Sequence, residues 1–354
     1  MKKIILVTGS TGLVGSETVK FFIKKNFKVV GIDNNKRQYF FGKEASTNWL
    51  KKKLSKYKNY THLNFDITNY KKLEKTFQQY KNKISLIVHC AAQPSHDWAY
   101  KKPILDFDIN AKSTINILEL TRIYNSKSKF IFTSTNKVYG DNPNKLQFIE
   151  KNKRYDLNKK NKFFEGINEN MSIDDCKHSL FGASKTYGDI ITQEYGKNYG
   201  LKTIVFRPGC ISGPNHSGAQ LHGFLSYLVK SCIKKKKYTI IGYNGKQVRD
   251  NLHSNDLVNC FWEFYKCKKN KVGEVYNIGG GRKSNCSILE AINYIEKKLN
   301  IKVKKKFLIN SRIGDHQWYI SDNLKFIKDY PTWNQKYDFK MIIDEIINQE
   351  IHQN

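Results

Sequence analysis

Apolar and polar positions follow two rhythms along the chain. Ile4-Ile5-Leu6-Val7 is a short apolar run rich in β-branched residues and bounded by turn residues, which predicts a buried strand. The same texture returns at Lys28 to Ile32, His62 to Phe65, Ile84 to His89, Lys129 to Thr133 and Thr203 to Phe206. Between these runs apolar residues recur at helical spacing. A helix begins near Ser16, and others are predicted over Tyr70 to Tyr80, Phe107 to Tyr124 and Ala183 to Tyr199. Asn34 to Tyr60 reads as loop plus a short helix. Strands alternating with helices predict an α/β protein built on a doubly wound parallel sheet. Such sheets bind ligands beyond the carboxyl ends of their strands, where the small turns after strands one, four and five fall.

The rhythm breaks twice. Residues 141–177 are rich in Lys and Asn with scattered Phe and Tyr, and read equally as a flap or as a surface insertion. Beyond Gly209 the elements shorten and glycine, histidine and aromatic residues increase. The expected organisation is a sheet domain over 1–208, with 141–177 inserted, and a smaller lobe over 209–354, parts of which return to the sheet.

The first strand leads into Gly9, Gly12 and Gly15 at GxxGxxG spacing, then a helix, a second strand and Asp33. A helix N-terminus after a strand offers unpaired N–H groups and a positive dipole end to a pyrophosphate. The glycines let backbone approach the phosphates. Asp33 would accept hydrogen bonds from both ribose hydroxyls and clash with a 2′-phosphate, which favours NAD over NADP. Arg37, four residues on, keeps a 2′-phosphate in play. The adenine ring would lie near Asp66 at the end of the third strand.

Composition changes this picture little. The formal charge is +31 in 354 residues, from 62 basic and 31 acidic side chains. The lysines are spread thinly over helices and loops and no nucleic-acid motif accompanies them, so the charge reads as a compositional bias; its field would still collect an anionic substrate. No apolar run reaches membrane-spanning length, and the N-terminus reads as a strand rather than a signal peptide. Seven cysteines without a CxxC pair point to a reducing, cytoplasmic compartment and no metal site.

TGSTGLVG, TSTNKVYG, FGASK, FRPGCISGP, GKQVRDNLHSNDL and YNIGGG occur in this order. Together they resemble the extended short-chain dehydrogenase/reductase family, the NAD-dependent sugar-nucleotide epimerases and dehydratases, over nearly the whole chain. TSTNKVYGD with GKQVRDNLHS is similar to the members that invert carbon 2 of CDP-dideoxyhexoses, converting CDP-paratose to CDP-tyvelose for surface polysaccharides. The resemblance implies a Rossmann sheet, a smaller C-terminal α/β lobe, bound NAD, a CDP-sugar substrate and a homo-oligomer. It also implies a redox route. A sugar hydroxyl loses its proton and its carbon a hydride, the ketone turns over, and both are returned.

The resemblance assigns Gly9, Ser10, Thr11, Gly12, Leu13, Val14, Gly15, Asp33, Asn34, Asp66, Ile67, Ala91, Ala92, Gln93, Asn110, Thr133, Lys185 and Pro208 to the cofactor. It assigns Gln93, Thr135, Asn136, Lys137, Phe181, Asn215, His216, Arg249 and Arg312 to the substrate, with Arg249 facing its pyrophosphate. Thr135 matches the Ser or Thr that hydrogen-bonds the reacting hydroxyl. Asn136 and Lys137 stand where the 4,6-dehydratases hold Asp and Glu, and an amide and an ammonium cannot eliminate water.

One position departs from the pattern. The family base is a tyrosine four residues before a lysine. The lysine is Lys185, but the tyrosine position holds Phe181, which can neither take nor give a proton. His178 would share the helix face of Phe181 and Lys185 if the helix starts early enough, although Ser179 is a possible cap that would put it outside. Lys185 itself, desolvated beside a cationic nicotinamide, is a second candidate. Tyr187 points away, and Tyr139 reads as packing. The alternatives to a 2-epimerase are a 4-epimerase or reductase on another nucleotide sugar, and a binder without catalysis.

Overall fold

A computed structural model describes residues 3–220 and 222–353. The chain divides into two compact units. The first comprises the chain through Val138, Leu180–Arg207 and Leu257–Tyr276; the second comprises Tyr139–Ser179, Pro208–Asp256 and the chain from Asn277 onward. Both are discontinuous: Leu257–Tyr276 joins the first unit and Tyr139–Ser179 the second. Residues 141–177 belong to the second unit and hold one antiparallel hairpin, Phe148–Glu150 with Tyr155–Leu157.

The first unit carries a seven-stranded sheet. Its strands are β1 (Ile4–Thr8), β2 (Lys28–Ile32), β3 (Tyr60–Leu63), β4 (Ile84–His89), β5 (Lys129–Thr133), β6 (Lys202–Pro208) and β7 (Glu274–Ile278). The spatial order is β7-β6-β5-β4-β1-β2-β3, with parallel pairing from β6 through β3. The order reverses at β1, the switch point at which doubly wound sheets bind ligands. All five residues of β1 are buried, as expected of a strand covered on both faces. Full burial of each such aliphatic side chain contributes about 1.5–3 kcal/mol.

The first helix, Leu13–Lys24, buries Gly15, Ser16, Thr18, Val19 and Phe22, and ends before Asn26, which turns left-handed at φ 64°. Phe22 and Phe27 pack edge-on against Tyr265, on the helix Ser254–Lys266 that leads to β7. The predicted helix 107–124 is two helices, Pro103–Phe107 and Ser113–Tyr124, joined by a π-turn over Asp108–Lys112. The helix expected from Ala183 starts at Ser179 and runs to Tyr199.

The second unit is organised on the strand Val248–His253. It pairs antiparallel with Asn285–Ser287 and parallel with Trp318–Tyr319 and Cys210–Ser212. Helices Phe224–Ile233, Ile288–Leu299 and Phe339–Gln353 enclose its core, where Leu228, Ile292 and Ile343 are buried. Ser287 starts the middle helix with a capping box to Glu290. Among the described residues no helix is long and apolar enough to cross a membrane.

Candidate active site

The turn after β1 is shaped by what its glycines leave out. Gly9 sits at φ 67°, and a Cβ there would lie 2.8 Å from the Ala91 backbone nitrogen. A Cβ on Gly15 would lie 2.0 Å from the Gly9 carbonyl oxygen, so the helix touches the turn directly. Gly12 precedes the helix in extended conformation without a side-chain cap, and Leu13 and Val14 form the first turn. Those N–H groups are the donors a pyrophosphate requires. Gly15→Ala is therefore expected to weaken NAD binding at least about tenfold, by equilibrium titration of the stripped protein. Unchanged affinity would remove this turn from the site.

Asp33 braces the turn. Its Oδ2 accepts from the Thr11 backbone N–H at 3.0 Å and its Oδ1 from that of Asn35 at 2.8 Å, leaving lone pairs on both oxygens for ribose hydroxyls. A cavity of about 290 Å³ adjoins it, lined among others by Thr11, Asn34, Asn35 and Lys51. The donor set and the glycine cradle fit a dinucleotide. Arg37 lies over the Phe41 ring at 4.9 Å, and burial pulls its pKa down to about 10. Ser10 is buried, its hydroxyl 2.9 Å from the Tyr60 hydroxyl. Desolvation pushes the Asp66 carboxyl up, but bonds from Lys36 (2.6 Å) and Thr68 outweigh it and hold the group below its usual range. Ile67 beside it is buried.

The ends of β4 and β5 carry the polar residues. Ala91 N–H donates to the Thr8 hydroxyl, and His89 is buried between Thr8 (2.7 Å) and Thr114 (3.0 Å). Burial, then the Lys185 charge, pushes its pKa down to about 3. After Ala92, Gln93 is 1 % exposed and its amide nitrogen donates to Asp106 at 2.7 Å and the Ser95 carbonyl at 2.8 Å. The π-turn aims Asn110 at the same knot, where it donates to Asp106 and the Gln93 carbonyl, both at 3.0 Å. Desolvation raises the Asp106 carboxyl to about 6. In this arrangement the Gln93 and Asn110 side chains hold the loop; contact with a ligand would require those bonds to exchange.

Thr135 lies two residues beyond β5, before the 3₁₀ turn Asn136–Tyr139. Its hydroxyl accepts the Lys137 N–H at 3.2 Å, and Asn136 is buried beside it. Lys185 reaches the same strand end. Its ammonium donates to the Thr133 carbonyl at 2.8 Å and lies 4.1 Å from the Phe132 ring centroid. Desolvation brings its pKa down to about 8. Phe181, one turn earlier on that face, is 7 % exposed, and the His96 ring packs edge-on against it, centroids 5.0 Å apart at 73°. Sequence reasoning passed over His96 and Asp106. The signal for His96 was a histidine four residues past the small turn that ends β4.

His178 precedes the helix, outside its first turn. Ser179 adopts φ 60°, and both ring nitrogens of His178 lie 3.7 Å from the Cys176 sulfur. In the second unit Pro208 ends β6, Asn215 and His216 are buried, and the His216 ring lies 5.5 Å from that of His222. Arg249 donates to the Val248 carbonyl at 2.8 Å and pairs with Asp315; Arg312 donates to the Gln220 carbonyl at 2.8 Å. Asp250 is buried, accepts the Ser321 N–H at 2.9 Å and is raised to about 6 by desolvation. Asp256 accepts the backbone N–H groups of Lys336 and Tyr337 at 3.1 Å. Both carboxylates accept from backbone N–H groups of their own unit.

Residues 5–279 match the model of the NAD dependent epimerase/dehydratase family. The chain is 30 % identical over 342 residues to a CDP-paratose 2-epimerase of Salmonella typhi, covering 95 % of this chain and 96 % of that one. It is 26 % identical over 306 residues to a UDP-glucuronate 4-epimerase of Thermodesulfobacterium geofontis, covering 86 % and 83 %. The fold is also that of a UDP-glucuronic acid 4-epimerase of Bacillus cereus solved with UDP-glucuronic acid and NAD, at TM-score 0.79 and 24 % identity over 99 % of this chain and all of that one. A glycine turn braced by Asp33, a strand end shared by Thr133 and Lys185, and these likenesses agree: the chain belongs to the NAD-dependent epimerase/dehydratase family and its cofactor is NAD.

Proposed function

We propose that the protein is an NAD-dependent nucleotide-sugar epimerase that inverts carbon 2 of a CDP-dideoxyhexose, CDP-paratose to CDP-tyvelose. The observation that carries this reading is the Lys185 ammonium held on the Thr133 carbonyl, beside the turn that bears Thr135. Likeness to the Salmonella typhi enzyme along 95 % of the chain supports the choice of sugar.

Bound NAD supplies a hydride acceptor that returns the same hydride. Thr135 holds the reacting hydroxyl by a hydrogen bond, and Lys185 supplies positive charge in a desolvated setting, where it acts over a short range with little screening. Asn136 and Lys137 suit a polar sugar and lack the acid and base that water elimination needs. Arg249 is assigned to the substrate pyrophosphate, with Arg312 second; a planar guanidinium can clamp two phosphate oxygens. Arg249→Ala is expected to weaken CDP binding by calorimetry more than Arg312→Ala does. The reverse order would reassign the clamp. A cytoplasmic homo-oligomer completes the proposal.

The test is incubation of purified protein and NAD with CDP-paratose, reading carbon-2 stereochemistry by NMR. Inversion at carbon 2 is expected. Inversion at carbon 4 of another nucleotide sugar, or a 4-keto-6-deoxy product from a 6-hydroxylated one, would overturn it. A second reading, a non-catalytic NAD and nucleotide-sugar binder, is favoured by Phe181 alone and would show tight binding without turnover.

A further inference from the structure

A ring that cannot carry a proton stands where the reaction needs one carried. Phe181 is held by its helix on the face of Lys185, and the ring of His96 packs against it. The loop presenting His96 is rigidly tied. Gln93 donates from its amide to the Ser95 carbonyl and accepts the Ser95 N–H, and Ser95 in turn caps the helix His96–Lys101 by accepting the Trp98 N–H at 3.3 Å. Asp106 and Asn110 fasten the other side of Gln93. His96 therefore emerges from a fixed point, at the carboxyl edge of the sheet, with its ring and that of Phe181 in a T-shaped contact and its side chain partly exposed.

Several titratable groups at this edge of the sheet are enclosed or have fixed partners of their own. His89 is fully enclosed and bonded through both ring nitrogens. Cys90 is held as a thiol, its pKa pushed up to about 12 by burial. Asp106 is 2 % exposed inside its knot, and Lys185 is held on the Thr133 carbonyl. His178 is turned to Cys176.

We propose that His96 is the catalytic acid–base that stands in for the hydroxyl missing from Phe181. The proposal rests on the epimerase reading. In the forward half-step a His96 ring nitrogen takes the proton of the sugar hydroxyl while the hydride on the same carbon passes to NAD. The O–H and C–H bonds break, an imidazole N–H and the carbonyl π bond form, and the sugar is oxidised by two electrons as NAD is reduced. In the return step the hydride re-enters on the opposite face and His96 gives its proton back to the oxygen, so atoms and electrons balance over the cycle. A histidine suits this use because its charge changes near neutral pH without special surroundings.

The test uses the NAD-loaded protein and its nucleotide sugar. His96→Gln is expected to lower kcat at least about 100-fold with KM within about threefold, the scale of a lost general acid–base. Added imidazole should restore part of the loss. Adding Phe181→Tyr to His96→Gln should recover about tenfold, because it returns a hydroxyl to that helix face; a merely structural histidine would be rescued by neither. A second readout needs no turnover by a variant. The His96 ring-proton resonance of the wild-type protein, assigned by its loss in His96→Asn, should move when saturating CDP-paratose is added. An active wild type with His96→Gln turning over within threefold of it, or an unmoved resonance, overturns the role of His96 and leaves the epimerase reading standing. A wild type that inverts no nucleotide sugar overturns both.

Discussion

Replacing Lys185 with methionine is expected to lower turnover by roughly 10² to 10⁴-fold, the range for a group that assists proton transfer, without destabilising the protein. The two halves of this expectation have one cause. Lys185 is 3 % exposed, and desolvation brings its pKa down to about 8 against about 10.4 for a free lysine. Between those values the unfolded chain binds more protons than the folded one, so stability rises with pH through that window. Below pH 8 the folded protein bears the whole cost of a buried ammonium, offset in part by the Thr133 carbonyl and the Phe132 ring. Methionine fills similar volume and carries no charge. Cofactor-free Lys185→Met should therefore unfold at the same or higher urea concentration at pH 7, and the difference should shrink as pH approaches 10. Turnover within tenfold of wild type would show that the ammonium is not part of the chemistry. A large loss of stability at pH 7 would show that the carbonyl and ring contacts outweigh desolvation.

The same balance explains what could be read from sequence and what could not. Strands β1, β2, β4 and β5 stand where their apolar runs predict, because a strand covered on both faces has no polar side to blur it. The third strand begins at Tyr60 instead of His62. Its first residue, Tyr60, pairs with Val29 of β2, and its hydroxyl meets Ser10, partners thirty-one and fifty residues away in sequence. The π-turn at Asp108–Lys112 was equally hidden. One extra residue per turn aims Asn110 at Gln93 without disturbing the helical spacing on either side. The sequence predicts that parts of 209–354 return to the sheet, but which part does so, Leu257–Tyr276, depends on Trp262 and Tyr265 meeting Phe21, Phe22 and Phe27, a tertiary choice with no local mark. At the site, glycine spacing and Asp33 were legible because the motif is contiguous. His96 was not, because its place four residues past the β4 turn gains a meaning only once the ring lies against Phe181, eighty-five positions later.

Asp189→Ala is expected to be the most destabilising single change at this site, at about 3–5 kcal/mol, the scale for stripping one partner from a buried ion pair. Asp189 is fully buried, one turn beyond Lys185. It accepts Arg207 through both oxygens, at 2.9 and 2.8 Å, the Ser134 hydroxyl at 2.6 Å and the Gln193 amide at 2.8 Å. Those bonds join the helix to the ends of β5 and β6, so this carboxylate holds Lys185 in register with Thr133 and Thr135. Alanine would leave the Arg207 guanidinium, itself 5 % exposed, without its countercharge in a dry interior. Removing both charges should cost much less than removing one, since replacing a buried pair by apolar residues is often neutral. Asp189→Leu with Arg207→Met should therefore recover most of the urea-unfolding free energy that Asp189→Ala loses, giving a strong coupling in a double-mutant cycle. Turnover should stay low in the recovered double variant, because its folded state still lacks the carboxylate that aligns the helix with the strand ends. A double variant as unstable as the single one would place the stabilisation in Ser134 and Gln193 rather than in the ion pair. One that is both stable and fully active would show that the helix keeps its register without Asp189.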